Sequence, residues 1–429
     1  MTLKPGTLES WRGQIYLAAW TLYAGYYFCR KDMGEAVGGS HFAVSLACFG
    51  LTYAVGQIVG GALADQYGPR RTALAGAAIS IFCTLLLTWF SQPAPELLLQ
   101  LGNGLGQGFG WPSLLKLIGA FFGRDERDRV LGWWSSSYIL CGLLATSMTA
   151  WLVVHTGFAV HSGFLSAYLV SSAILLCATV FFYAITWRVP DPLSASNPEL
   201  STGRWVMRTN AAAQVHGWKV LLRNRSIQII SGMYFFLKMT RYTLLFWLPH
   251  YLISSFAYSV HQAEHTASYF ELCGFLGPIA VGYATQRWFR NRRMALGATM
   301  LFTLAFVCLL HPVLAESGWF GMVVSISLMG ILIHGADLLM SGMAVLDAVP
   351  EQLHGRAVGL VNGFGSIGMV ISPLLATIFV ARLGWNQLFD LFVFFALAGG
   401  SICAVGAQLR PPSAPPLNRS VLVTEQQPI

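Results

Sequence analysis

Residues 61–71 read GALADQYGPRR, a short charged stretch between two apolar runs that are each long enough to cross a bilayer. Gly61, Gly68 and Pro69 permit a tight turn there. Asp65, Arg70 and Arg71 put opposite charges where neighbouring helix ends meet, so the stretch can lock those ends together in one conformation. Working outward from it, apolar runs recur near 11–35, 43–65, 72–91, 95–122, 129–155, 162–187, 226–256, 264–288, 294–314, 317–348, 356–381 and 385–409. Each approaches or exceeds the roughly 20 residues a helix needs to span the hydrocarbon core. Hydrophobic residues make up 55%, charged residues 10%, and the mean hydropathy is +0.58. Ordinary soluble domains carry about 25% charge. The reading is an all-α membrane protein of twelve transmembrane helices.

A net charge of +8 would suit a nucleic-acid binder, but the positions of the basic residues account for it otherwise. With the N-terminus placed in the cytoplasm, the loop residues Arg70, Arg71, Arg124, Arg127, Arg129, Arg188, Lys219, Arg223, Arg290 and Arg292 all fall on the cytoplasmic side, and Arg382 on the other. That bias is the positive-inside rule, and it puts both termini in the cytoplasm of a plasma (bacterial inner) membrane protein. The first run leads into Arg30, Lys31 and Asp32 without a small-residue cleavage site, so no cleavable signal peptide is expected. Residues 1–188 read as a first six-helix bundle, 189–222 as a polar cytoplasmic linker and 223–410 as a second six-helix bundle. Residues 411–429 read as a disordered tail rich in Pro, Ser and Gln.

Eight cysteines are scattered without CxxC spacing and read as small buried residues rather than metal ligands. His261 and His265 have no further ligands nearby in sequence and read as a solvated pair. No nucleophile–base pair, metal spacing or nucleotide loop is present. Neither an enzyme nor a cofactor-binding protein is expected.

Arg30 and Arg241 stand inside apolar, aromatic-rich runs, one near the start of each half. Arginine does not shed its proton, so at membrane depth it must face a cavity or a partner. Two such residues suggest a central chamber suited to a doubly charged anion such as a phosphate ester, bound by bidentate guanidinium forks. Lys31 and Asp32 follow Arg30, so that arginine lies either in the chamber or nearer its outer mouth. Tyr23 and Tyr27, at i−7 and i−3, share its helical face and either bind substrate or pack. Lys238, at i−3 from Arg241, faces the same cavity.

The 61–71 stretch is similar to the signature loop of the major facilitator superfamily, which implies two bundles rocking about a midplane site. The equivalent second-half stretch, ending Gln286-Arg287, lacks the acidic residue, which weakens the lock expected there. Within the superfamily, YYFCRK (26–31), NGLGQGFGWP (103–112) and RYTLLFW (241–247) resemble segments of the organophosphate:phosphate antiporter family, supported by the glycine-rich 364–368 and by Gly384-Trp385. The resemblance implies exchange of a sugar phosphate or glycerol phosphate for inorganic phosphate, by a carrier working as a monomer. It makes Arg30 and Arg241 the phosphate-binding pair and places Trp111 in the binding region.

Departures from the family bear on the substrate. Tyr138 stands where the glycerol-phosphate and hexose-phosphate carriers have histidine, and Gln57 where the glycerol-phosphate type has lysine. Val358 and Val361 replace an acidic and a basic residue of the hexose-phosphate type. Glu271 matches an acidic position of the glycerol-phosphate type and is expected to balance an arginine. Asp337 replaces a common proline; it is either a partner for Lys238 or Lys116 or a proton site. Lys116 either approaches the cavity or holds helix ends, and Lys31 adds charge beside Arg30. Two rival readings stay open: a transporter-like membrane sensor of a sugar phosphate, and a proton-coupled transporter of another organic anion.

Overall fold

The computed structural model describes residues 9–31, 40–90, 92–155, 160–189, 211–385 and 387–408. Throughout them the backbone is helix or short turn. Lipid offers no hydrogen-bond partners, so a spanning segment must satisfy its own backbone, as a helix does. The first half holds α1 (Glu9–Lys31), α2 (Ser40–Tyr67), α3 (Pro69–Leu86), α4 (Pro93–Gly108), α5 (Gly110–Phe121), α6 (Arg124–Trp134), α7 (Ser136–His155) and α8 (Val160–Arg188). The second holds α9 (Ala211–Arg223), α10 (Arg225–Phe256), α11 (Val260–Gly274), α12 (Leu276–Arg287), α13 (Arg293–Glu316), α14 (Trp319–Leu338), α15 (Val345–Ala348), α16 (His354–Leu383) and α17 (Leu388–Gln408).

Three spans are pairs of helices in line, joined by Phe109, Ser135 and Phe275, which keep helical dihedrals. Pro112 and Pro278 account for two of these joints, because without N–H groups they leave the carbonyls of Gly108 and Gly274 short of a ladder partner. At the third, the hydroxyls of Ser135 and Ser136 bond back to Gly132 and Trp133. A π-helical turn over Leu339–Ala344 carries α14 into α15. Taken singly, six helices among the described residues are long and apolar enough to cross a membrane. The spans that miss that test are the three jointed pairs, α1 and α10 with their internal cations, and the 18-residue α3. With them the spans number twelve.

Helix α1 packs on α7 and α8, and α4 on α2 and α3; in the second half α10 packs on α16 and α17, and α13 on α14 and α17. The halves meet through α2 against α16 and α6 against α12. Glycine makes the first crossing possible: a Cβ on Gly61 or on Gly355 would collide with the other's carbonyl. Residues 211–222 of the expected linker lie in α9. Trp218 and Leu221 of that helix pack inward while Lys219 and Arg223 stay exposed. Residues 190–210 and 409–429 lie outside the described residues.

The loops rich in arginine gather at one end of the molecule, called the basic end below. Asp65 accepts hydrogen bonds from the backbone N–H of Gly355 (2.9 Å) and Arg356 (3.0 Å), so a carboxylate from one half caps the N-terminus of α16 in the other. Lys116 lies 2.5 Å from the same carboxylate, with both side chains buried. Lys116 is thus paired with the carboxylate at the α16 helix end. Arg70 donates to the terminal carbonyls of α8, at Thr186 (3.0 Å) and Val189 (2.7 Å), whereas Arg71 is exposed.

The second half, where a weakened lock was expected, holds ion pairs of its own. Gln286 donates to the Asp125 carbonyl, and Arg290 pairs with the Asp125 side chain. Arg293 reaches both Asp128 (2.9 Å) and Asp347 (2.8 Å), and Asp347 also pairs with Arg124 (2.9 Å) and Arg127. The carboxylates come from α6 and α15, not from the repeat of the first-half loop.

Between α2 and α3, Gly68 has φ 91° and ψ 148°, a region essentially closed to residues with a Cβ. Gly68→Ala is expected to cost about 1–3 kcal/mol. It should appear as a lowered thermal unfolding midpoint of the detergent-purified protein.

Candidate functional site between the two halves

Arg30 enters from α1. Its Nε and Nη2 donate to Oε1 of Gln107 at 3.3 and 3.2 Å, and its guanidinium lies over the rings of Tyr27 and Tyr53, each with the centroid at 4.5 Å. Gln107 is fixed in turn: its amide Nε2 donates to the Tyr26 carbonyl and to the Ser80 hydroxyl, both at 2.9 Å, which leaves Oε1 for the arginine. One turn earlier, Asn103 donates to the Cys29 carbonyl (3.3 Å) and accepts from Ser80 (2.7 Å). The Asn and Gln of the 103–112 motif therefore clamp the backbone of α1 and aim Arg30. They sit at i and i+4, the spacing that puts two side chains on one helical face. That spacing was visible in the sequence, but the partner it serves was not.

Arg241 enters from α10 and is 7% exposed. Its Nη1 donates to Oδ2 of Asp337 at 2.8 Å. Lys238 lies 3.5 Å from Oδ1 of the same carboxylate, and the Tyr234 hydroxyl donates to that oxygen at 2.8 Å. Tyr234 also lies 3.1 Å from Oδ1 of Asn362 on α16. Asp337 is thus the partner of Lys238 and Arg241, not of Lys116, and a cluster joins α10, α14 and α16. Buried ions of this kind persist only when paired and hydrogen-bonded. Tyr53, Gln107, Tyr234 and Asn362 were not singled out from the sequence. The signal available for Tyr234 was its position four residues before Lys238 and seven before Arg241, the same face again.

Tyrosines join the two arginines. Tyr27 beneath Arg30 lies 5.7 Å from Tyr138, and Tyr138 lies 5.7 Å below Arg241. Tyr138 therefore stands at the junction of the halves. Tyr23 is set further into the first half, stacked on Trp134 at 4.9 Å and beside Trp111 at 5.4 Å. Several polar atoms here are buried without a protein partner: Tyr138 Oη, Ser137 Oγ, the indole nitrogens of Trp111 and Trp134, and both amide atoms of Gln57. Each such group costs about 1–3 kcal/mol if nothing satisfies it. A polar ligand would do so.

Phe49 and Tyr53 of α2, Tyr242 of α10 and Met369 of α16 form a separate apolar cluster, with Tyr53 against Arg30 and Tyr242 against Arg241. Glu271 on α11 is half-buried, and the carboxylate on Arg241 belongs to Asp337 instead. Lys31 ends α1, and its side chain lies outside the described residues. Val358 and Val361 are buried on α16 beside Asn362. His261 and His265 are exposed at the start of α11, where Ser259 and Gln262 form a capping box. A hollow of about 420 Å³ lined by Tyr251, Glu316, Trp385 and Gln387 opens at the outer end of the second half. Its one charged lining residue is acidic, so it does not suit an anion.

The chain shares this architecture with a proton:xylose symporter, XylE, solved with 6-bromo-6-deoxy-D-glucose: the TM-score is 0.69 at 13% identity, covering 93% of this chain and 95% of the other. At that identity the likeness shows the fold alone. Among curated relatives, the glucose-6-phosphate exchanger SLC37A2 of Mus musculus is 23% identical, over 85% of this chain and 78% of its own. The glycerol-3-phosphate transporter of Bacillus subtilis is 24% identical over 89% of each. The phosphoglycerate transporter protein of Salmonella typhimurium is 26% identical, over 93% of this chain and 88% of its own. By their names these relatives are an exchanger and two transporters of phosphorylated small molecules, not enzymes, and that is the substrate class of the family that residues 26–31, 103–112 and 241–247 resemble. The pattern of the Major Facilitator Superfamily matches residues 15–336 and 230–425. With that pattern running nearly end to end through a fold the superfamily shares, the chain belongs to the major facilitator superfamily.

Proposed function

We propose that the protein exchanges a phosphorylated small organic molecule for inorganic phosphate across the membrane by alternating access. The observation that carries this is the enclosure of Arg30 from one half and Arg241 from the other, joined through Tyr27 and Tyr138 and ringed by buried polar atoms without partners. A phosphate between the halves takes charge-assisted hydrogen bonds from both guanidinium groups, strengthened by the low local dielectric. An empty site keeps two repelling cations that resist full closure, so crossing favours the loaded state and transport becomes exchange.

On this reading residues 1–188 and 223–410 are the two rocking bundles and 189–222 their linker. The basic end, with both chain termini, faces the cytoplasm of a bacterial inner membrane, as the arginine-rich loops favour. The carrier works as a monomer. Tyr23, Tyr27, Trp111, Tyr138, Gln57 and Lys238 line the path of the organic group and the phosphate. Glu271 and Lys31 adjust the charge nearby.

The relatives carry substrates of two charge types. Glucose 6-phosphate and glycerol 3-phosphate owe their charge to the phosphate alone, whereas phosphoglycerate adds a carboxylate.

The test is counterflow. Proteoliposomes preloaded with inorganic phosphate are challenged with labelled glycerol 3-phosphate, glucose 6-phosphate and 3-phosphoglycerate. Uptake of at least one ester that requires internal phosphate is the expected result. Phosphate binding without turnover would favour the sensor reading instead. Uptake driven by a pH gradient without phosphate counterflow would favour the proton-coupled one.

A further inference from the structure

We propose that Asp337 sets the charge of the substrate this site accepts, by cancelling one of the site's three cations; the inference rests on the anion site proposed above. Three cations line it: Arg30, half-buried, and Lys238 and Arg241, both buried. Arg30 is held by neutral groups, namely the Gln107 amide and the rings of Tyr27 and Tyr53. Arg241 and Lys238 share a single carboxylate, 3% exposed, at 2.8 and 3.5 Å. The closest further titratable group on α14 is His334, one turn before Asp337. Its Nδ1 lies 2.8 Å from the Gly330 carbonyl, which can only accept, and its ring packs on Phe270. At pH 7 an imidazole with no anion hydrogen-bonded to it adds no full charge to the sum. Arg30, Lys238, Arg241 and Asp337 thus sum to three positive charges and one negative.

A site with two net positive charges is neutralised by a doubly charged phosphate ester, and equally by doubly charged inorganic phosphate. A phosphate ester bearing a carboxylate overshoots by one, leaving an uncompensated negative charge in an enclosed site. Asp337 already occupies donors that such a carboxylate would need: Arg241 Nη1, Lys238 Nζ and the Tyr234 hydroxyl. Nor does Asp337 leave readily, since the Tyr234 hydroxyl donates to it and is itself placed 3.1 Å from Oδ1 of Asn362 on α16. The protein has in effect built the third negative charge into its own wall.

Asp337→Asn keeps the shape and removes the charge, leaving three net positive charges. In proteoliposomes loaded with inorganic phosphate, the ratio of counterflow kcat/KM for 3-phosphoglycerate to that for glycerol 3-phosphate should rise about tenfold or more, the scale of one unit charge at a few ångströms in an enclosed site. Asp337→Asn combined with Lys238→Met restores two net charges, and the ratio should return to the wild-type value. A purely structural ion pair predicts that both esters lose activity together with the ratio unmoved, and that outcome overturns the proposal. If Asp337→Asn fails to reach the membrane, Lys238→Met alone, with one net charge, should move the ratio the other way; an unmoved ratio there overturns the proposal as well. Wild-type protein that exchanges no phosphate at all would instead overturn the transporter reading on which this one stands.

Discussion

Arg30→Lys and Arg241→Lys should each reduce phosphate exchange by about a hundredfold or more while leaving the protein in the membrane. Lysine keeps the charge, so Asp337 retains a cationic partner and the cost of an unpaired buried carboxylate is avoided. What lysine cannot supply is the fork. A guanidinium offers a phosphate two parallel charge-assisted bonds, whereas an ammonium acts as a point charge on a more flexible stem. Hydrogen bonds to charged groups contribute about 1.5–3 kcal/mol each, and tenfold in equilibrium corresponds to about 1.4 kcal/mol, so losing one bond weakens binding about ten- to a hundredfold. The closed state suffers again, because the substrate must bridge both halves to hold it, and at Arg30 the Gln107 and tyrosine seat fits a planar group. Phosphate self-exchange in proteoliposomes measures the effect, with membrane immunoblots as the control on protein level. Retained exchange in both variants would end the paired-arginine account.

The second large effect is expected at the basic end. Asp65→Asn should disfavour the closed basic end by about 3–5 kcal/mol, the usual penalty for stranding one partner of a buried ion pair. The stranded group is Lys116, 2.5 Å from the carboxylate with a side chain only 5% exposed. The same substitution weakens the cap on α16, where Gly355 and Arg356 donate their backbone N–H groups. Folding should survive, because an open basic end is a state that an alternating-access carrier must visit. Hydrogen–deuterium exchange over the first turns of α16 should therefore quicken, and steady-state transport should fall. Gly61→Val provides a steric counterpart: its side chain would press on the Gly355 carbonyl and hold α2 off α16 without touching any charge. Unchanged exchange protection in both variants would show that this contact does not hold the closed end together.

Much of the architecture was legible because it follows from properties each segment carries by itself. Apolar runs of sufficient length recur twelve times, and Gly68 before Pro69 marks the turn between two of them. The jointed spans were read as continuous runs, since a one-residue adjustment such as that at Phe109 leaves the apolar stretch intact. Helix α9 was missed because its 13 residues lie in a polar surrounding, and its burial depends on docking against Arg356 and Leu353. Arg30 and Arg241 stood out for the opposite reason: a permanent charge inside an apolar run conflicts with its surroundings wherever the helix ends up.

The sequence by itself determined the helical class, the number of spans, the one-sided distribution of arginines and the two cations that need an anion. Those features depend on hydropathy and charge along the chain, which are local. Only the tertiary structure decided who pairs with whom. Asp337 takes Arg241 across 96 residues, Gln107 takes Arg30 across 77, and Asp65 takes Lys116 across 51. At such separations every basic residue is an equally good sequence candidate for every carboxylate. The choice falls to whichever pair the packed helices bring within about 3 Å, because inside the bundle a charge left without a partner costs more than the fold can spare.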